Sequence, residues 1–474
     1  MHEVAGRSAR IIQSVDGEHD VYLMRNVSRR RGHDVRRFRR VVLLAVFLVI
    51  AAACSNNNEP SGGSGATGGG AAGENTGSVN VLSALDPTEA DPMQGVLDDN
   101  INSAQSDYTA EIEADGNFEQ DVQIRAQAGT LDVILLPQPG AVIEQAKSGN
   151  AVSLEDMGFN IDDLNATFGE YFMSLGEYNG EHYGIPTNIN LKSMVWYPKD
   201  DFDKAGYAVP TTWDEMLALS DQIVADGGTP WCVGFGSEGA TGWPATDWME
   251  DIMLRTAGLD TYAKWATHEI PFNDPSVLNA AKIFGDVMFH DGYVLGGADK
   301  TPSIAFGDAP LPMFDEPPGC WLHRQASFIT AFFPKTAKSG VDYDWFPLPP
   351  IDQDGTLFAG ELAVTFRNAP EVKDFLTRFM SADVQCAMGS AGTSRISPNV
   401  DVGPDCYTDP ILADASVVLT DGLANGTAGF DASDMMPPAV GSGSFWTGMV
   451  KYMQNGPDSI QGILDDIEKS WPAS

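Results

Sequence analysis

The 474-residue chain carries 28 Lys and Arg against 66 Asp and Glu, a formal charge of −38. A field of that sign repels nucleic acid phosphates and anionic lipid head groups, which argues against both as partners. The length is enough for two or three domains around a sizeable core.

Taken in order, the chain opens on a basic segment in which Arg29, Arg30, Arg31, Arg36, Arg37, Arg39 and Arg40 precede the apolar run Val41 to Ala53. That run is shorter than the about 20 residues a membrane-spanning helix needs. It reads as the apolar region of a signal peptide, with a short membrane anchor or a buried helix as the competing reading. Ala51-Ala52-Ala53-Cys54 resembles a bacterial lipobox with alanine in place of the usual leucine. Residues 1–53 are therefore expected to be a lipoprotein signal peptide, Cys54 the lipidation site, and 54–78 a flexible tether rich in Gly, Ser, Ala and Asn. Two acyl chains on Cys54 would hold the protein at the outer face of the cell membrane.

The body begins with "VNVLSAL" at Val79, an apolar run that reads as a buried strand, followed by a helix around Met93 to Ala104. "YTAEIEA" alternates as a strand does, "FEQDVQIRAQAG" reads as a helix closed by Gly129, and "LDVILLPQPG" as an apolar strand ending in a loop. Alternating strands and helices indicate an α/β lobe with a largely parallel sheet, in which ligands sit beyond the carboxyl ends of the strands. After "YGIP" at Tyr183 comes a second apolar strand, and then Thr211 or Thr212 caps a helix whose first turn carries Asp214 and Glu215.

From "YGIP" and "PTTWDE" onward the sequence resembles the extracellular solute-binding proteins of carbohydrate ABC importers, and the likeness extends from Val79 to Trp471. "GWPATDWMEDIMLRTAG", "HEIPFNDPSV", "FGDAPLPMFDEPPGCWLHRQASFI" and "YDWFPLPPID" look like the subgroup that binds alpha-glucosides such as sucrose, maltose or trehalose. The resemblance implies a periplasmic-binding-protein-like α/β fold of two lobes with a hinge and a ligand cleft between them. It places the amino-terminal lobe at 79–187 and 355–398 and the carboxyl-terminal lobe at 188–354 and 399–474, with crossings near 186–190, 348–355 and 396–399. It also implies permease and ATPase subunits as partners, an oligosaccharide ligand, a monomeric state and no cofactor.

Four cysteines remain beyond Cys54, with no C-x-x-C pair, so disulfides are favoured over zinc. Three pairings are open, with four free buried thiols as the alternative. The resemblance favours Cys232 with Cys320, since it puts both in the second lobe, and Cys386 with Cys406, which closes a local loop.

No catalytic signature survives inspection: "HEIPF" lacks the second histidine of a zinc-protease helix, and neither a phosphate-binding loop nor a G-x-S-x-G elbow occurs. A glycoside hydrolase needs only two suitably spaced carboxyl groups, so that reading stays open, as does a non-enzymatic adhesion or scaffold lipoprotein. A hexose offers hydroxyl edges to carboxylates and amides and C–H faces to an aromatic plate. Glu89, Asn117 and Gln138 lie in predicted loops after strands, and Asn188 at a proposed crossing. The resemblance places Glu361, in "FAGELAV", where relatives often have a glycine-rich turn and an acidic residue. Arg395 reads as a fork for vicinal hydroxyls or as an interlobe ion pair, and Asp431 as a ligand contact or a helix cap. All ten tryptophans lie after the first crossing. Trp243, between Gly242 and Pro244 at a helix start, is the candidate stacking plate, with Asp247 one turn on and core packing as the alternative.

Overall fold

The computed structural model describes residues 77–105 and 107–473. The expected signal peptide, nearly all of the tether, and Cys54 lie outside the described residues.

Strand β1 (Gly77–Ser83) pairs in parallel with β2 (Tyr108–Ala114) on one side and with β3 (Val133–Leu136) on the other. β1 therefore begins two residues before the expected start of the body. All four residues of β3 are buried, as a parallel strand covered on both faces requires. Val79, Val81 and Leu135 face Met93, Leu97 and Phe375, while Leu82, Ile134 and Leu136 face Phe118, Val122 and Val142.

The helix after β1 runs Pro87–Asn100, earlier than expected, and a 3-10 turn takes Asn102–Ala104. Asp86 and Glu89 form a reciprocal capping box, and Pro87 is preset for the first helical position, so the helix starts there rather than at the first apolar residue. The next helix is Phe118–Ala128, closed by Gly129 in the left-handed conformation.

After the hairpin of β4 (Glu177–Tyr178) and β5 (Glu181–His182), strand β6 (Gly184–Leu191) stays in the first sheet, paired antiparallel with a later strand. Beyond Lys192 the chain enters a second, antiparallel sheet in which β7 (Met194–Tyr197) lies between β8 (His323–Arg324) and β9 (Asp344–Pro347). It then returns to the first sheet as β10 (Thr356–Thr365), which runs antiparallel to β3 and β6 and parallel to β11 (Ala428–Phe430). The first sheet is thus parallel only over part of its width.

The result is a two-lobed α/β fold. The second lobe's core mixes aromatic with more numerous aliphatic and methionine side chains around the Trp243–Ala266 helix, which breaks at Gly258, and the Pro275–Met288, Trp446–Asn455 and Ile460–Glu468 helices. Thr212 is the residue that caps Trp213–Ala225, accepting from the Glu215 N–H. Cys232 is bonded to Cys320 and Cys386 to Cys406, with Cα separations of 5.4 and 5.0 Å. No helix among the described residues is long and apolar enough to cross a membrane, and they contain no acid, His or Cys cluster able to hold a metal.

Candidate ligand cleft

Loops after β1 and β3, the end of β6, the middle of β10 and the start of the Trp243–Ala266 helix converge on a cleft of about 900 Å³, counting the open solvent at its mouth. Two glycines make this convergence possible. Gly242 has φ +117°, and a Cβ there would lie 2.3 Å from the Trp446 carbonyl oxygen. Only glycine reaches both conditions, and it brings Trp243 and Trp446 to the same wall. Gly360 passes so close to the Asn188 carbonyl that a Cβ would stand 2.5 Å from it, and the β6–β10 register shifts just after, between Glu361 and Leu362.

The floor is a buried ionic network. Lys192, the first residue after β6, donates to Asp247 Oδ1 at 2.8 Å and to Asp431 Oδ2 at 2.6 Å. Asp431 also caps the short Ala432–Met435 helix, its Oδ1 accepting from the Asp434 N–H at 2.9 Å and the Ser433 hydroxyl at 2.8 Å. Asp431 is therefore a cap and a cleft residue at once. Behind Asp247, Arg324 lies 3.4 Å from its Oδ2 without hydrogen-bond geometry and 3.0 Å from Asp251, which also accepts from Ser193 at 2.7 Å and pairs with Arg255. Glu250 accepts from the N–H groups of Ala432 and Ser433 at 2.9 and 3.1 Å.

Burial and charge push these groups apart. Burial works against ionisation of Asp431, but the Lys192 charge and its hydrogen bonds outweigh it and hold the carboxyl at about 2. Asp247 is raised to about 6, because burial exceeds the attraction of Lys192. Burial raises Glu89 to about 8, with the Asp86 N–H opposing and the Glu361 charge adding. Burial likewise raises Glu119, Glu250 and Asp434.

Above this floor, Trp243 is partly exposed, with Phe306 at 5.3 Å and Phe328 at 6.0 Å between ring centres. The Lys192 ammonium stands 5.3 Å from the Trp243 ring centre. Around the rim, Arg395 pairs with Glu361, Gln138 Nε2 donates to Glu119 at 3.3 Å, and Asn188 Nδ2 donates to Asn190 at 3.3 Å. The other amide ends, Gln138 Oε1 and Asn188 Oδ1, are buried with no hydrogen-bond partner. A polar cavity lined by unsatisfied acceptors calls for a donor from outside the chain.

Glu89, Gln138, Asn188, Trp243, Asp247, Glu361, Arg395 and Asp431 are thus brought together, whereas Asn117 is not. Asn117 is the exposed residue before the Phe118–Ala128 helix, tied by its N–H to Asp115 at 2.9 Å, and the first turn presents Glu119 to the cleft instead. Lys192, Asn190, Asp434, Trp446, Phe306 and Phe328 also line it. Of these, Lys192 had a signal, a lone cation ending an apolar strand, while Trp446 and Phe328 lie in stretches with no local mark.

The sequence profile of bacterial extracellular solute-binding proteins matches residues 86–385. The chain is 40% identical over 366 residues to the alpha-glucosides-binding periplasmic protein AglE of Rhizobium meliloti, covering 75% of this chain and 79% of that one. It is 38% identical over 359 residues to the osmoprotective compounds-binding protein GgtB of Synechocystis, covering 75% and 83%. Among solved structures it is similar in fold to the solute receptor AcbH (TM-score 0.70, 18% identity, 83% and 98% covered) and to RafE in complex with raffinose (TM-score 0.67, 18% identity, 84% and 99% covered). The chain belongs to the bacterial extracellular solute-binding proteins, and it is a binding protein rather than an enzyme.

Proposed function

We propose that this protein captures an alpha-glucoside of the sucrose, maltose or trehalose type in the cleft and delivers it to the permease of an ABC importer, with ATPase subunits driving the transport. The observation that carries the reading is the pairing of one aromatic plate, Trp243, with a wall of unsatisfied acceptors that includes Gln138 Oε1 and Asn188 Oδ1. A sugar ring meets the first through C–H groups and the second through hydroxyl donors. The 40% identity to an alpha-glucosides-binding protein supports the substrate class, and the similar likeness to a protein for osmoprotective compounds makes compatible-solute glycosides the second class to test. We further propose a lipid anchor at Cys54, a monomeric state, and lobes of 79–187 with 355–398 and 188–354 with 399–474, moving about a hinge at the strand crossings.

Thermal denaturation against a sugar panel tests the ligand class. A ligand that binds only the folded state stabilises by RT ln(1 + [L]/Kd), about 2.7 kcal/mol at a hundredfold excess over Kd. An upward shift with one or more glucosides is the expected result; no shift with any saccharide would contradict it.

A further inference from the structure

The charges in the cleft do not balance. Glu89, Glu119, Asp247, Glu361, Asp431 and Asp434 line it, against the cations Lys192 and Arg395. Arg395 is taken by Glu361, and Lys192 by Asp247 and Asp431. Among the described residues, Glu89, Glu119 and Asp434 have no ion-pair partner; Glu89 accepts the Asp86 N–H in its capping box, which leaves Glu119 and Asp434.

These two acids influence each other. Burial raises the Asp434 carboxyl, the Asp431 charge adds to it, Lys192 opposes, and Asp247 and Glu119 raise it again. Burial also raises Glu119, with its own N–H and Gln138 opposing and Asp115 adding. Gln138, 5% exposed, commits its Nε2 to Glu119 and is left with an unpartnered Oε1 in the same wall. The open Gln138 oxygen calls for a hydrogen donor, and a donor that also carries positive charge would let both acids ionise beside it.

We propose that the cleft selects a glycoside bearing a protonated amino group over its neutral counterpart, with the ammonium seated among Glu119, Gln138 and Asp434. An ammonium has three donors and no acceptor, which matches two carboxylates and an amide oxygen. Its charge-assisted hydrogen bonds are shorter and stronger than those of a hydroxyl. A neutral hydroxyl leaves the buried Asp434 and the half-buried Glu119 either uncompensated or obliged to keep their protons. This inference rests on the carbohydrate reading of the same cleft.

Isothermal titration calorimetry separates the two readings. Trehalose, maltose and sucrose are compared at pH 7 with their primary-amine derivatives at the 2- and 6-positions and with the N-acetylated forms of those amines. At least one amine is expected to bind tenfold or more tighter than its parent sugar. N-acetylation should abolish the gain, and the amine-to-parent affinity ratio should fall toward one in both Glu119→Gln and Asp434→Asn. Parent sugars that bind while every amine binds equally or more weakly would overturn the proposal and leave the carbohydrate reading intact. Parent affinity that rises with sodium chloride while the amine gains nothing would also overturn it, by assigning the gap to an inorganic cation. If neither set of sugars binds, both readings fall.

Discussion

Lys192 holds two buried carboxylates with one ammonium, and all three side chains are almost wholly excluded from solvent. Removing one partner of a buried pair strands the others, at a cost of about 3–5 kcal/mol. Lys192→Met should therefore lower the unfolding free energy by about that amount in urea titration with an unchanged m-value. A loss below about 1 kcal/mol would show that the network relaxes or hydrates. Glu89 gives a test in pH. Its folded carboxyl is raised to about 8 from an ordinary 4.5, so between those values the folded state holds a proton that the unfolded chain has released. That contribution is fully present below about 4.5 and is lost as pH rises through about 8. Glu89→Gln, which has no proton to lose, should show a smaller fall in melting temperature between pH 5 and pH 9 than the parent protein. Equal slopes would mean that Glu89 ionises normally. Much of the residue-level site was legible because loops after parallel strands supply the polar groups of an α/β cleft, which points to Glu89 and Gln138. Asn117 failed by helical phase: two residues further along the turn, Glu119 faces the cleft, and no local pattern fixes which side the turn presents.

At the scale of elements, the cleft depends on close backbone approaches rather than on side chains alone. Gly140, in the Pro139–Lys147 helix, lies where a Cβ would come within 2.0 Å of the Met436 carbonyl oxygen, and at Gly116 a Cβ would stand 1.8 Å from Glu238 Oε2. The flexible Glu238 carboxylate can swing aside, but the Met436 backbone cannot do so without moving its segment. Gly140→Leu should weaken sugar binding while leaving the melting temperature of the unliganded protein within a few degrees, because the proposed hinge would let the unliganded lobes part. Unchanged affinity would show that this contact is not part of the bound form. The Cys386–Cys406 bridge ties the Ala382–Ser390 helix to the turn at Pro404–Cys406, and replacing both cysteines with alanine should cost about 2–5 kcal/mol. Element types were readable where periodicity and caps agreed, as in "YTAEIEA" and the Thr212 cap. The antiparallel partners β6 and β10 were not readable, because they lie more than a hundred residues apart and pairing across that distance leaves no local trace.

At the scale of the molecule, two lobes share a cleft whose walls come from the first sheet with its loops and from the helices facing it, so a ligand touching both walls is best held when they are closed. Ligand would then shift the population toward the closed form, which a permease can distinguish from the open one. The acidic body keeps such a protein dispersed and away from anionic surfaces, in keeping with an extracytoplasmic site of action. The most direct test of the central claim, that this cleft binds a glucoside against Trp243, is calorimetric titration of the parent protein and of Trp243→Ala with the sugar that best stabilises the fold. Saturable binding with one site per chain is predicted, together with a loss of about 1–3 kcal/mol of affinity in a variant that remains folded. A folded Trp243→Ala protein with unchanged affinity, or a parent protein that gives no binding heat with any glucoside at several temperatures, would contradict the claim.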